Sequence, residues 1–133
     1  MSDGRSWVLP PMTGTRLTSN DRPHFHARAA ATREWRKLGW GRAREARIPR
    51  LARARVDVQW LPSTAAVHDP SNAHPMVKAL VDGICLDAGV LADDSAEFLV
   101  GPHVTMGERF RPAVPGRGLA TLRVTVTEIT GSV

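Results

Sequence analysis

Two stretches of this 133-residue chain alternate apolar and polar residues at a period of two, and they limit the folds open to it. Arg55 to Leu61 sets Val56, Val58 and Trp60 between Asp57 and Gln59. Leu119 to Ile129, rich in Thr and Val, alternates Leu122, Val124 and Val126 with polar neighbours. A strand with this pattern buries one face and wets the other. Something must therefore cover the apolar side, and two helical patterns are available to do so.

In the first pattern Ala27, Ala31, Trp35 and Leu38 recur at helical spacing from a start near His26. Gly39 and Gly41 flank Trp40 and mark a place where the helix kinks or ends, and Pro49 ends it in any case. The second pattern places Pro75 in a first turn, with Asn72 or His74 as cap. Its buried face holds Val77, Leu80, Val81, Ile84 and Ala88, and Gly89 stands where a C-terminal glycine stops a helix. Trp7-Val8-Leu9 reads as a first strand stopped by Pro10-Pro11, and residues 11–25 and 111–118 read as loops. Glu97 to Val100 reads as a short strand. The order β-α-β-α-β-β predicts an α+β fold, a small mixed sheet packed with two main helices. The length suits one domain over residues 1–133, with 1–5 and 130–133 loose.

Charge is distributed unevenly. Residues 1–62 carry 13 Lys+Arg against 5 Asp+Glu, whereas residues 63–110 carry 2 against 7. The net charge of +5 suits a polyanionic partner. Arg33, Arg36, Lys37, Arg44 and Arg47 fall on the side of the first helix away from its apolar face, where they would track phosphates or form an ordinary solvated face. No run of 18 apolar residues is present, so no membrane span is expected, and no apolar stretch follows the N-terminus as a signal peptide would require. The single cysteine, Cys85, points to the reducing cytoplasm.

Within the acidic middle, Asp69 precedes the second helix, Lys78 and Asp82 share a face of it four residues apart, and Asp93-Asp94 follows it. Hard cations such as Mg²⁺ take oxygen ligands and keep several waters, so one or two carboxylates plus a substrate phosphate suffice. A nearby lysine can hold a phosphate or stabilise a leaving group. These are the parts needed for phosphodiester hydrolysis. The competing reading is a set of solvated loop acids.

The ordered set Asp69-Pro70-Ser71-Asn72, Lys78-Ala79, Asp82-Gly83, Ala88-Gly89-Val90-Leu91 and Asp93-Asp94 resembles the signature of the RusA family of crossover junction endodeoxyribonucleases, over about 26 residues. The resemblance implies a homodimer that binds four-way DNA junctions and cuts two strands symmetrically with Mg²⁺ or Mn²⁺. It implies catalytic roles for Asp69, Asp94, Lys78 and Asp93, with Asp69, Asp94 and Asp93 holding metal, and with Ser71, Asn72 and Asp82 in support. Arg33, Arg36, Lys37, Arg44 and Lys78 are the DNA-binding candidates.

Three departures from the family pattern bear on activity. Ser71 stands where the family has a second aspartate, Lys78 lies farther from Asn72, and Ala65-Ala66-Val67-His68 replaces an arginine run. The first allows an alternative, a relative that binds branched DNA with reduced or lost catalysis. Arg22, His24 and Phe25 lie in a loop that could reach a junction centre, with Phe25 either stacking on bases or packing on the core. His24, His26, His68 and His103 with Cys85 lack zinc-ligand spacing.

Overall fold

The alternation at the C-terminal end of the chain becomes the axis of the sheet. In a computed structural model, which describes residues 2–21, 24–65, 68–113, 116 and 118–131, the strands are β1 (Ser2–Val8), β2 (Met12–Thr15), β3 (Ala54–Leu61), β4 (Leu99–Met106) and β5 (Leu119–Thr130). The helices are α1 (Phe25–Glu45) and α2 (His74–Asp82). β5 pairs antiparallel with β1 and β2 along one side and with β3 along the other, and β3 pairs parallel with β4, so the order is β1-β5-β3-β4. Val56, Val58, Leu122, Val124 and Val126 are fully buried, and their polar neighbours form the opposite face. The architecture is α+β: a mixed sheet with two helices.

β3 and β4 are parallel, and parallel neighbours need a crossover connection. That connection is the acidic middle of the chain. It begins with a 3₁₀ turn, Pro70–Ala73, continues as α2, and ends in one turn of π-helix, Gly83–Asp87. Neither Asn72 nor His74 caps α2. Asp69 instead caps the 3₁₀ turn that leads into it, accepting from the Ser71 backbone N–H. Gly89 adopts φ +76°, the left-handed value expected of a helix-stopping glycine.

Four local expectations are corrected. Residues 2–5, expected to be loose, extend the first strand, with Asp3 paired to Ile129. Residues 12–15, expected within a loop, form β2, because Met12 and Gly14 are buried beneath α1 and the backbone pairs with β5. The short strand at 97–100 is Leu99–Met106. The α-helical stretch of the second helix ends at Asp82, and Ala88 is only half-buried.

α1 runs unbroken through Gly39 and Gly41. Ala31, Trp35, Gly39 and Ala43 form its buried face, whereas Ala27, expected there, is exposed. Gly39 is a contact point. A Cβ on Gly39 would lie 2.3 Å from the Leu80 carbonyl oxygen, and one on Gly83 would lie 2.1 Å from that of Arg36. The two helices therefore meet backbone to backbone on a glycine from each. The Trp35 indole N–H donates to the Thr15 carbonyl at 2.7 Å, tying α1 to β2. Among the described residues no helix is long and apolar enough to cross a membrane.

Candidate active site

The residues singled out in the sequence collect around the crossover in two groups. In the first, the 3₁₀ turn folds the chain so that the Ser71 hydroxyl donates to Asp69 Oδ1 at 2.8 Å and the Ser71 N–H donates to the same oxygen at 3.0 Å. These bonds hold the exposed Asp69 carboxyl below its ordinary value, the hydroxyl contributing most. The Asn72 carbonyl accepts from the Ser19 N–H at 2.9 Å, which anchors the turn to the segment after β2.

The second group is a chain of alternating charges. Lys78 Nζ donates to Asp94 Oδ2 at 2.8 Å and to Asp82 Oδ1 at 2.9 Å. Helical spacing brings Asp82 beside Lys78, and the turn after the π-helix returns Asp94 to the same nitrogen. On its other side Asp82 lies 3.8 Å from Arg36, whose guanidinium grips Asp87 in two bonds of 2.6 and 2.9 Å. The Lys78 bond holds the Asp94 carboxyl low, and the Asp94 and Asp82 bonds hold the Lys78 ammonium high.

The signs of these shifts fix the pH range of the network. The stability linked to Asp94 is present above the ordinary carboxyl value of 3.8 and is lost as pH falls through the lower folded value. The stability linked to Lys78 is present below 10.5 and is lost as pH rises through the higher folded value. At neutral pH Lys78 is thus a cation, able to hold a phosphate and unable to act as a base.

Beside this network lies a hollow of about 270 Å³ lined by Arg28, Thr32, His74, Lys78 and Asp82, among others. Both Arg28 and His74 are exposed there; the sequence marks His74 only as a helix cap and does not single out Arg28. His74 stands one turn before Lys78 on α2, and the packing of α1 against α2 brings Arg28 to the same hollow.

Asp69, Asp93 and Asp94 do not form a ready-made three-acid cluster. Among the described residues no group of three or more His, Cys, Asp or Glu side chains is placed to hold a metal ion. The histidines and Cys85 likewise form no such group. The carboxylate donors still suit a hard cation, which accepts as few as one or two protein oxygens when water and phosphate complete its shell. The ammonium of Lys78, held between Asp82 and Asp94, marks a position where two carboxylates already share one positive charge.

The basic residues of α1 separate into two roles. Arg36, expected to meet DNA, is committed to Asp87 and Asp82. Arg33, Lys37, Trp40, Arg44 and Arg47 follow one another at steps of four and three, with every one exposed and the Arg44 guanidinium 5.5 Å from the Trp40 ring centre. Phe25 does not pack on the core; it is 74% exposed at the first residue of α1. Arg22 lies outside the described residues.

No protein-family model matches the chain, and no curated protein matches it.

Cys85 sits fully buried beneath the acidic network. Burial pushes its thiol up to about 12, with Asp82 and Asp94 adding to the effect. Folded protein at pH 8 is expected to resist a disulfide-exchange reagent, reacting only at the rate at which it opens, and fully in denaturant. A fast native reaction would contradict the buried placement.

Proposed function

We propose that the protein is a metal-dependent, structure-selective DNA endonuclease that resolves four-way junctions as a homodimer in the cytoplasm. The observation that carries this reading is the return of Asp94 to Lys78, two positions of the RusA-like signature sixteen residues apart. The side chains of Asp69 and Ser71 touch in the turn that leads into the helix whose Lys78 binds Asp94. The ordered likeness to the RusA signature is built from these same positions.

In this reading Asp69, Asp93 and Asp94 would supply the carboxylates for Mg²⁺ or Mn²⁺. The bound metal would activate water and neutralise charge on the scissile phosphate. Lys78, with Arg28 across the hollow, binds that phosphate and steadies the leaving oxygen. Asp82 keeps Lys78 in place. The stripe from Arg33 to Arg44 follows the phosphates of one arm. A two-fold dimer presents two such sites to a junction with its own approximate two-fold symmetry.

Synthetic four-way junctions incubated with the protein and Mg²⁺ or Mn²⁺ should yield paired nicked duplexes. Junctions left intact across metals and salt would overturn the reading. A second reading, binding without full catalysis, is favoured by one observation: Ser71 offers Asp69 a hydroxyl where a second carboxylate would supply another ligand charge. Under it the wild type binds junctions without cutting, and Ser71→Asp restores cutting.

A further inference from the structure

On the far side of Asp69 from Lys78 in the sequence, His68 opens onto a separate cavity of about 520 Å³. It lies where β3 ends and β5 begins, and Arg16, Trp60, Pro62, His68, Arg111 and Leu119 are among its lining residues. That volume falls within the range of about 300–1,000 Å³ typical of small-molecule sites. The His68 imidazole stacks on the Trp60 indole, with ring centres 4.5 Å apart and planes 23° from parallel. Trp60 is buried, which fixes one side of the stack, while His68 is only half-buried.

The charge of the cavity has one sign. Arg16 and Arg111 line it, both exposed, and no Asp or Glu does among the described residues. Arg16 has a distant acidic neighbour, Asp21 at 3.9 Å. A flat ring supported from behind and flanked by guanidinium groups matches a nucleotide: a base has a π-face to stack, and its phosphate takes the arginines.

We propose that this cavity receives one unpaired nucleotide of a DNA strand, its base against His68 and its phosphate between Arg16 and Arg111. The inference rests on the nuclease reading for its choice of DNA, because the next residue after His68 is Asp69. An unpaired nucleotide held against His68 adjoins Asp69 along the chain. A branch point, where pairing is interrupted, offers such a nucleotide at little cost in unstacking.

The test uses the full chain in EDTA, so that binding is read without cutting. An eight-residue oligothymidylate with one 5-bromouracil is titrated by fluorescence anisotropy and then cross-linked by irradiation. His68→Ala and Arg111→Gln are each expected to weaken binding by about tenfold, and His68→Phe to retain it, since stacking is what the ring supplies. The cross-link is expected in the peptide that carries Trp60 or His68.

Unchanged affinity in both weakened variants, a cross-link mapping only to α1, or no binding of the oligonucleotide by the wild type would each overturn the inference. Junction cutting with no occupation of the cavity leaves the nuclease reading standing and removes this one. Occupation of the cavity without junction cutting does the reverse.

Discussion

Asp94→Asn is expected to abolish junction cutting while leaving junction binding within about threefold of wild type. The substitution keeps the shape of the side chain and removes its charge. Asp94 is the carboxylate that the crossover brings back to Lys78, whose ammonium holds it below the ordinary carboxyl value. Loss of a carboxylate that would hold the phosphate-bound cation costs several kcal/mol at the transition state, which corresponds to at least about a hundredfold in rate. The fold should survive. The Asp94 side chain is 31% exposed and that of Lys78 52%, so their pair contributes only about 0–1 kcal/mol to stability. Cutting rates on a labelled junction, measured beside gel-shift affinities, check both halves. A variant that cuts within tenfold of wild type would remove Asp94 from the chemistry.

Gly83→Ala is expected to destabilise the protein by about 2 kcal/mol or more, even though alanine favours helix by about 1 kcal/mol over glycine. The added methyl would meet the Arg36 carbonyl at 2.1 Å, and backbone on both sides cannot move aside as a flexible side chain would. Gly39→Ala, opposite the Leu80 carbonyl, should behave alike. Gly41→Ala supplies the contrast. Nothing lies within 4 Å of that Cβ, so the same substitution two residues along α1 should stabilise by up to about 1 kcal/mol. Urea unfolding reads all three as shifts of midpoint at constant slope. Equal effects at Gly41 and Gly83 would contradict the backbone contact between the helices.

These glycines show what a sequence carries locally and what it does not. β3, β5 and the two main helices were legible because burial on one face leaves a period in the chain itself. The left-handed Gly89 was legible because its position after an apolar pattern has a local cause. Gly39 read as a break in α1, since its use depends on Leu80, a residue far away in sequence. The first residues of β1 and the whole of β2 escaped notice for a related reason. Residues 3–6 are exposed and β2 has four residues, so backbone pairing with β5 holds them without an apolar rhythm. β4 read only as Glu97 to Val100, whereas the strand continues through Gly101-Pro102 to Met106.

At the site, the i, i+4 spacing made the Lys78–Asp82 pair visible. Arg36 was assigned to phosphate because its partners, Asp82 and Asp87, belong to another helix. His74 stood four residues before Lys78 and was read only as a helix cap, whereas Arg28 had no signal of its own in the sequence. Arg28 acquires a place only through the approach of α1 to α2.

The interruption in β4 bears on how copies of this chain can meet. β4 is the last strand on its side of the sheet, and an open strand edge is a template for adding a strand from another molecule. Here the register with β3 shifts between Arg55 and Asp57, Gly101 takes φ +101°, and Pro102 brings no N–H. A bulge and a proline together break the row of donors that an incoming strand would need. Continuous sheet extension across this edge is disfavoured, which guards this side of the sheet against open-ended stacking.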